Sequence, residues 1–287
     1  MSLGSLAPLM RREPATVDLL AAGTETVAVP EAATAYVLAG MLALGERRPV
    51  VVVTPTVAYA ERLAHDVQAF ASPGSVKLFP AWETLPFERV SPDVHTMGSR
   101  LELLWRLGAL DAIEEVEEVH REQVDGERGQ GGRGDAWHRG EAGSDRDPSE
   151  AQRVQLVVAP VRALLQRLGP LGEAAFPRRV TRGERLDQSE LVATLVAMGY
   201  RREYQVEHRG EVAVRGGIVD VFPSTSEMPV RIDLWGDEVD RLTEFDPGDQ
   251  RSVGDLEEVE IFACRELLPT EPVRAKAATL VGSDPWG

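Results

Sequence analysis

A single cysteine, Cys264, stands among 287 residues, so the chain forms no internal disulfide and no cysteine-based zinc site. The five histidines are scattered without ligand spacing, and no metal is expected. No apolar run approaches the roughly 18 residues a membrane span needs. Met1 to Arg12 also lacks an uninterrupted apolar stretch with a cleavage site behind it. The expectation is a cytoplasmic protein with no membrane contact. Basic residues are also scarce, with 31 Lys and Arg against 47 Asp and Glu, a formal charge of −16. Non-specific affinity for nucleic acid comes from neutralising phosphates, so this balance argues against a chain that wraps DNA unaided.

What remains is an ordinary globular composition, 43% hydrophobic and 27% charged, enough for two modest domains. The charge is uneven. Between Asp111 and Gln152 stand thirteen acids against five arginines, a net of −8 and half of the total excess. The same stretch contains Gly-Gln-Gly-Gly-Arg-Gly from Gly129 and almost no aliphatic residue after Val124. It cannot bury enough apolar surface to offset the entropy of ordering, and a disordered acidic insertion over 111–152, acting as a solvated spacer, is expected.

Ahead of the insertion, short apolar runs alternate with helical patterns. Thr26 to Pro30, Val50 to Thr54 and Val76 to Phe79 read as strands, with helices over Ala32 to Leu44 and Val57 to Phe70. Val50 to Val53 is apolar without alternation, as for a strand covered on both faces. Leu101, Leu104, Leu107 and Leu110 mark a further helix; beyond the insertion Val154 to Ala159 resumes as a strand and Val161 to Leu168 as a helix. This is the grammar of a parallel α/β sheet, over about 1–170. From Leu171 it changes. Asp187 caps a helix with Glu190 three residues on, and Gly199 ends it. Strands follow over Tyr200 to His208, Glu211 to Val214, Ile218 to Phe222, Val230 to Trp235 and Val239 to Phe245. Gly236-Asp237 forms a two-residue hairpin turn. A smaller α+β domain over 171–263 is expected, and 264–287 reads as the start of a return segment that is cut short.

The first strand-to-helix turn of an α/β domain is where a phosphate-binding loop would sit. Here it reads Val27-Ala28-Val29-Pro30-Glu31-Ala32-Ala33-Thr34. Against G-x-x-x-x-G-K-T only Thr34 agrees, since Val27 and Ala32 replace the glycines and Ala33 the lysine. Pro30 removes a backbone donor, and Glu31 sets a negative charge where phosphate would lie. No nucleotide is expected at this turn. Asp237-Glu238-Val239-Asp240 spells the D-E-x-D of helicase metal sites, but Gly236 begins a turn there, and a charged turn is the reading. No nucleophile elbow is present, and His65 and His95 have no partner in sequence. Catalysis is not indicated.

The most informative stretch is Pro229-Val-Arg-Ile-Asp-Leu-Trp-Gly236. Strand alternation puts Val230, Ile232 and Leu234 on one face and Arg231, Asp233 and Trp235 on the other. Trp and Arg are the residues most enriched at binding hot spots. Arg215, before Gly216-Gly217, could add a second cation to the same surface. The alternative is that Trp235 covers a sheet edge and Arg231 pairs with Asp233 or Asp240.

Arg209-Gly-Glu-Val-Ala-Val-Arg-Gly-Gly-Ile-Val-Asp-Val-Phe-Pro223, then Pro229 to Val239, then Phe245-Asp-Pro247 with Gln250-Arg251, resembles the second domain shared by UvrB and bacterial transcription-repair coupling factors. Trp82-Glu-Thr-Leu-Pro86, Ser91-Pro92 and Arg100-Leu101 look like the coupling factors in particular. The degenerate turn at 27–34 departs from UvrB, which keeps its P-loop. So does the absence, after Pro86, of a tyrosine-rich DNA-gripping hairpin.

The resemblance implies a P-loop-NTPase-like α/β domain with a degenerate nucleotide site, plus a smaller α+β UvrB-type interaction domain. It implies a non-catalytic docking module for UvrA, with Arg215, Arg231 and Trp235 as the contact positions; phenylalanine is common at the last. Full-length coupling factors are longer and displace stalled RNA polymerase. They bind the polymerase and double-stranded DNA through other parts, and their translocase motor uses ATP and Mg. The alternative is a fragment of a UvrB-like ATP-dependent damage-recognition helicase.

Overall fold

The computed structural model describes residues 3–21, 26–45, 48–84, 90–108, 154–166, 168, 176–268 and 271–281. The acidic insertion at 111–152 lies outside them. The chain separates into two compact units, residues 1–81 with 116–166, and residues 82–115 with 167–287. No helix among the described residues is long and apolar enough to cross a membrane.

In the first unit a 3-10 segment over Gly4–Arg12 leads into α1 (Pro14–Ala21) and α2 (Thr34–Leu44). There follow β1 (Val50–Thr54), α3 (Val57–Gln68), β2 (Val76–Leu78), β3 (Leu156–Pro160) and α5 (Val161–Leu165), while α4 (Val94–Arg106) belongs to the second unit. The three strands are parallel in the order β1-β3-β2. Thr56 caps α3, its hydroxyl accepting from Tyr59 N. One sheet face is closed by α2 and α3, where Ala35, Leu42, Ala60, Leu63, Val67, Val76, Leu156 and Val158 form the core.

Two expectations need correction here. The strand expected over Thr26 to Pro30 is absent: residues 26–30 lie in no ladder, and Glu31–Ala33 is a 3-10 turn that runs into α2. Pro30, without an N–H, cannot donate to a ladder at that point. The strand at 50–54 is likewise not covered on both faces. Val51 and Val53 are more than half exposed, because β1 lies at an edge of the sheet and only central β3 is buried along its whole length.

The second unit holds α4 (Val94–Arg106), β4 (Arg178–Thr181), α6 (Gln188–Ala197), β5 (Arg201–Arg202), β6 (Glu211–Arg215), β7 (Ile218–Val221) and β8 (Val230–Trp235). It continues with β9 (Glu238–Phe245), β10 (Ser252–Leu256), β11 (Glu258–Ile261) and α7 (Glu271–Val281). The six-stranded sheet runs β10-β9-β8-β7-β6-β5, a meander from β6 to β10 with β5 parallel at one edge; β4 and β11 pair separately. Helix α6 has the expected ends. Asp187 accepts from Glu190 N at 2.9 Å. At the other end, Gly199 at φ +93° donates to Val196 O and Tyr200 donates to Leu195 O, the paired bonds of a Schellman stop. The strand expected over Tyr200 to His208 shortens to Arg201–Arg202. Beyond Glu203 the chain leaves the ladder, and the Glu211 carboxylate accepts from the N–H groups of Glu207 and His208.

Helix α4 is tied into this unit by charge. Arg100 is fully buried and ion-paired through Nε to Glu266 Oε1, an oxygen that also accepts from Trp82 Nε1 at 3.1 Å. The guanidinium lies 5.4 Å from the Trp82 ring centroid. Gly98 makes the close approach possible, since a Cβ there would fall 2.3 Å from Ser224 Oγ. Removing one partner of a buried pair leaves the other charge without compensation. Arg100→Ala is therefore expected to lower the unfolding free energy by about 3–5 kcal/mol, the usual cost of such a break. Urea denaturation reads it, and a loss below about 1 kcal/mol, the range of exposed pairs, would contradict the assignment.

Candidate partner-binding face

The site is built by two tight turns at one end of the six-stranded sheet. Gly216-Gly217 joins β6 to β7 with Arg215 opposite Ile218, and Gly236-Asp237 joins β8 to β9 with Trp235 opposite Glu238. Gly216 sits at φ +60° and Gly236 at φ +67°, the first-position geometry that two-residue hairpins demand and glycine supplies. Leu186 N donates to Asp237 O at 2.7 Å, and Gln188 Nε2 donates to Gly216 O at 2.7 Å, so the backbone of both turns is anchored.

The register then divides the sheet into two faces. Val212, Val221 and Val230 form one row, and Val219, Ile232 and Leu242 another; all six are buried. The opposite face carries Ala213, Asp220, Arg231 and Thr243 in one row, and Ile218, Asp233 and Arg241 in the next with Arg215 at its β6 end. Its far end is apolar, where Val206, Ala213, Phe222 and Phe245 cluster. Toward the turns it becomes charged and ends on Trp235, 84% exposed.

A buried carboxylate organises the middle of this face. Asp220 is 1% exposed. Arg231 grips it with both arms of the fork, Nε to Oδ1 at 2.7 Å and Nη2 to Oδ2 at 3.0 Å. Arg215 Nη2 donates to the same Oδ2 from the other neighbouring strand. Arg231 also donates through Nη1 to Gln250 O at 3.3 Å, and its guanidinium lies 4.6 Å from the Phe245 ring centroid. Its side chain is 16% exposed, against 40% for Arg215. The hydrogen bonds to Asp220 hold the Arg231 pKa above the usual arginine value. The structure thus brings Arg215, Arg231 and Trp235 onto one face. Among the described residues the ion-pair partner of Arg231 is Asp220, neither Asp233 nor Asp240, and Trp235 is left 84% exposed.

Asp220 and Phe245 belong to this site, although the strand pattern alone does not single them out. The signal was an acid inside the apolar strand Ile218 to Phe222, which demands a buried cation once the strand is internal. The Asp233 carboxylate makes no hydrogen bond or ion pair among the described residues, and burial raises its pKa, opposed mainly by the nearby Arg231. Arg241, opposite it, pairs instead with Asp255 at 2.7 Å.

The turn at 27–34 is elsewhere, in the first unit. Val27 and Glu31 are exposed, and Glu31 is ion-paired with Arg62. Thr34 Oγ1 reaches back to Pro30 O at 3.5 Å. Glu31 and Ala32 line a cavity of about 600 Å³ with Tyr59, Arg62, His65 and Asp66, a wall of mixed charge. Asp237 to Asp240 fall in the hairpin turn and β9, with Val239 buried between them. His95 Nδ1 lies 3.1 Å from Ser224 O, a packing role.

Residues 179–267, which contain the whole of this face, match the UvrB interaction domain family. The chain is 37% identical over 245 residues to the transcription-repair-coupling factor of Mycobacterium bovis, covering 85% of this chain and 17% of that protein. The corresponding protein of Myxococcus xanthus is 33% identical over 270 residues, 91% of this chain and 19% of its own length. That of Escherichia coli is 30% identical over 242 residues, 83% and 17%. This is a mixed α/β chain that carries a UvrB interaction domain. Over most of its length it is a homologue of the transcription-repair coupling factors, of which it spans about a sixth.

Asp233 supplies a pH test of the face. Folding favours its neutral form, so its contribution to stability is full below the ordinary carboxyl value of 3.8 and is lost as pH rises through the raised folded value. Asp233→Asn cannot ionise. Its stability relative to the parent is expected to improve as pH rises across the carboxylate range, read as the gap between urea midpoints. A gap independent of pH would contradict the geometry.

Proposed function

We propose that this chain is the UvrA-docking module of a longer transcription-repair coupling factor and is itself non-catalytic. The observation that carries the reading is Trp235, an indole left 84% exposed at the end of a strand face that also holds Arg215 and Arg231, within the UvrB interaction domain match. An exposed tryptophan costs solvation free energy that a partner's pocket recovers, and arginines beside it supply charge-assisted bonds to carboxylates. Tryptophan at 235 fills the role of an aromatic anchor that phenylalanine also serves.

The first unit is read as a P-loop-NTPase-like fold that has lost its nucleotide site. Pro30, Glu31, Ala32 and Ala33 stand where a cradle would need donors and a lysine, and Glu31 is already paired with Arg62. No cofactor is assigned to this chain. ATP and Mg serve the motor of the longer protein, whose other parts meet RNA polymerase and double-stranded DNA in the bacterial cytoplasm. The relatives' name supports a role in repair coupled to transcription.

UvrA affinity is the test. Trp235→Ala is expected to cost about 2 kcal/mol or more, roughly thirtyfold in Kd, as central aromatic anchors do. Arg231→Ala is expected to weaken binding and also to lower stability, since it strips Asp220 of its bidentate partner. Unchanged affinity in both variants overturns the reading. Calorimetric titration with Mg-ATP is expected to give no saturable heat; a stoichiometric isotherm would favour the helicase alternative.

A further inference from the structure

The two arginines of the docking face are not equivalent. Of the five N–H groups of a guanidinium, Arg231 commits Nε and Nη2 to Asp220 and Nη1 to Gln250 O. Its flat face is over Phe245. Arg215 commits only Nη2, again to Asp220, and its Nε and Nη1 make no hydrogen bond among the described residues. Asp233 lies in the same row of the sheet but with Ile218 between them, so it does not take up those donors.

We infer that Asp220 is the positioning residue of this face, holding Arg215 through Nη2 so that its Nη1 donors stay open to a carboxylate on the partner. The inference rests on the docking reading above and names the chemistry of one contact within it. An arginine free in solution loses rotamer freedom when it binds, which weakens the contact. Asp220 takes that loss at folding instead. Its second oxygen serves both arginines while its first serves Arg231 alone, so Arg231 locks the carboxylate and the carboxylate locks Arg215. Nη1, whose N–H groups are uncommitted, then offers a charge-assisted bond to a partner carboxylate.

A double-mutant cycle on the full chain, with UvrA as the probe, tests this. Asp220→Asn keeps the shape but replaces one acceptor by a donor. Asp220→Asn and Arg215→Ala are each expected to weaken binding by about tenfold, the worth of a charge-assisted bond. The double variant should be no weaker than Arg215→Ala alone. Combined with Trp235→Ala, by contrast, Asp220→Asn should multiply its own effect, which a general loosening of the fold would not distinguish. Should Asp220→Asn and Arg215→Ala multiply, or Asp220→Asn leave affinity unchanged, the positioning role is overturned while docking stands. Arg215→Ala and Trp235→Ala both without effect would overturn docking itself, and this inference with it. A second readout needs no variant at Asp220. In ¹⁵N spectra of the parent chain, the Arg215 guanidinium should rotate slowly, and fast rotation would contradict the assignment.

Discussion

A carboxylate that is 1% exposed must be paired, because an isolated charge inside a protein costs several kcal/mol. Asp220 meets that demand from the strands on either side, with Arg231 in a bidentate grip and Arg215 on a shared oxygen. Much else follows from this one requirement. It brings β6, β7 and β8 into register on a polar face and seats a guanidinium on Phe245. It also separates an apolar end, with Ala213 and Phe222, from a charged end that finishes on Trp235. A second buried pair, Arg100 with Glu266, does similar work away from the face by joining α4 to the end of the domain.

The two pairs differ in what they leave available. Arg100 is fully enclosed and spends its charge on Glu266 and the Trp82 ring, so it acts on stability alone. Arg215 keeps 40% of its side chain in solvent while its Nη2 is held on Asp220, so this guanidinium is positioned by the folded chain itself. Pre-ordering of this kind favours affinity because fewer rotamers are lost on binding. In the first unit the helix start at Thr34 offers no comparable feature, since the preceding turn carries Pro30 and a Glu31 that is already paired.

The elements legible in the sequence were those with local signals. The Asp187 cap, the Gly199 stop and the Gly236 turn depend on residues within a few positions, and each forms as expected. The alternation of Val230 to Trp235 also assigned faces correctly, placing Arg231, Asp233 and Trp235 together. What could not be read was strand order and register. Val50 to Val53 has the composition of a central strand, and only the order β1-β3-β2 leaves Val51 and Val53 open. The pairing of Arg178–Thr181 with Glu258–Ile261 joins charged segments far apart in sequence, with no periodicity to announce it. Asp220 was visible as an acid in an apolar strand, but its partners depend on which residues stand opposite it across β6 and β8.

The central claim is that the face running from Asp220 to Trp235 is where UvrA docks. Hydrogen–deuterium exchange of the full chain with and without UvrA tests it directly. Protection is expected at the two hairpins, Arg215 to Ile218 and Trp235 to Glu238, and along β8 between Arg231 and Trp235. Protection elsewhere with these segments unchanged would contradict the account.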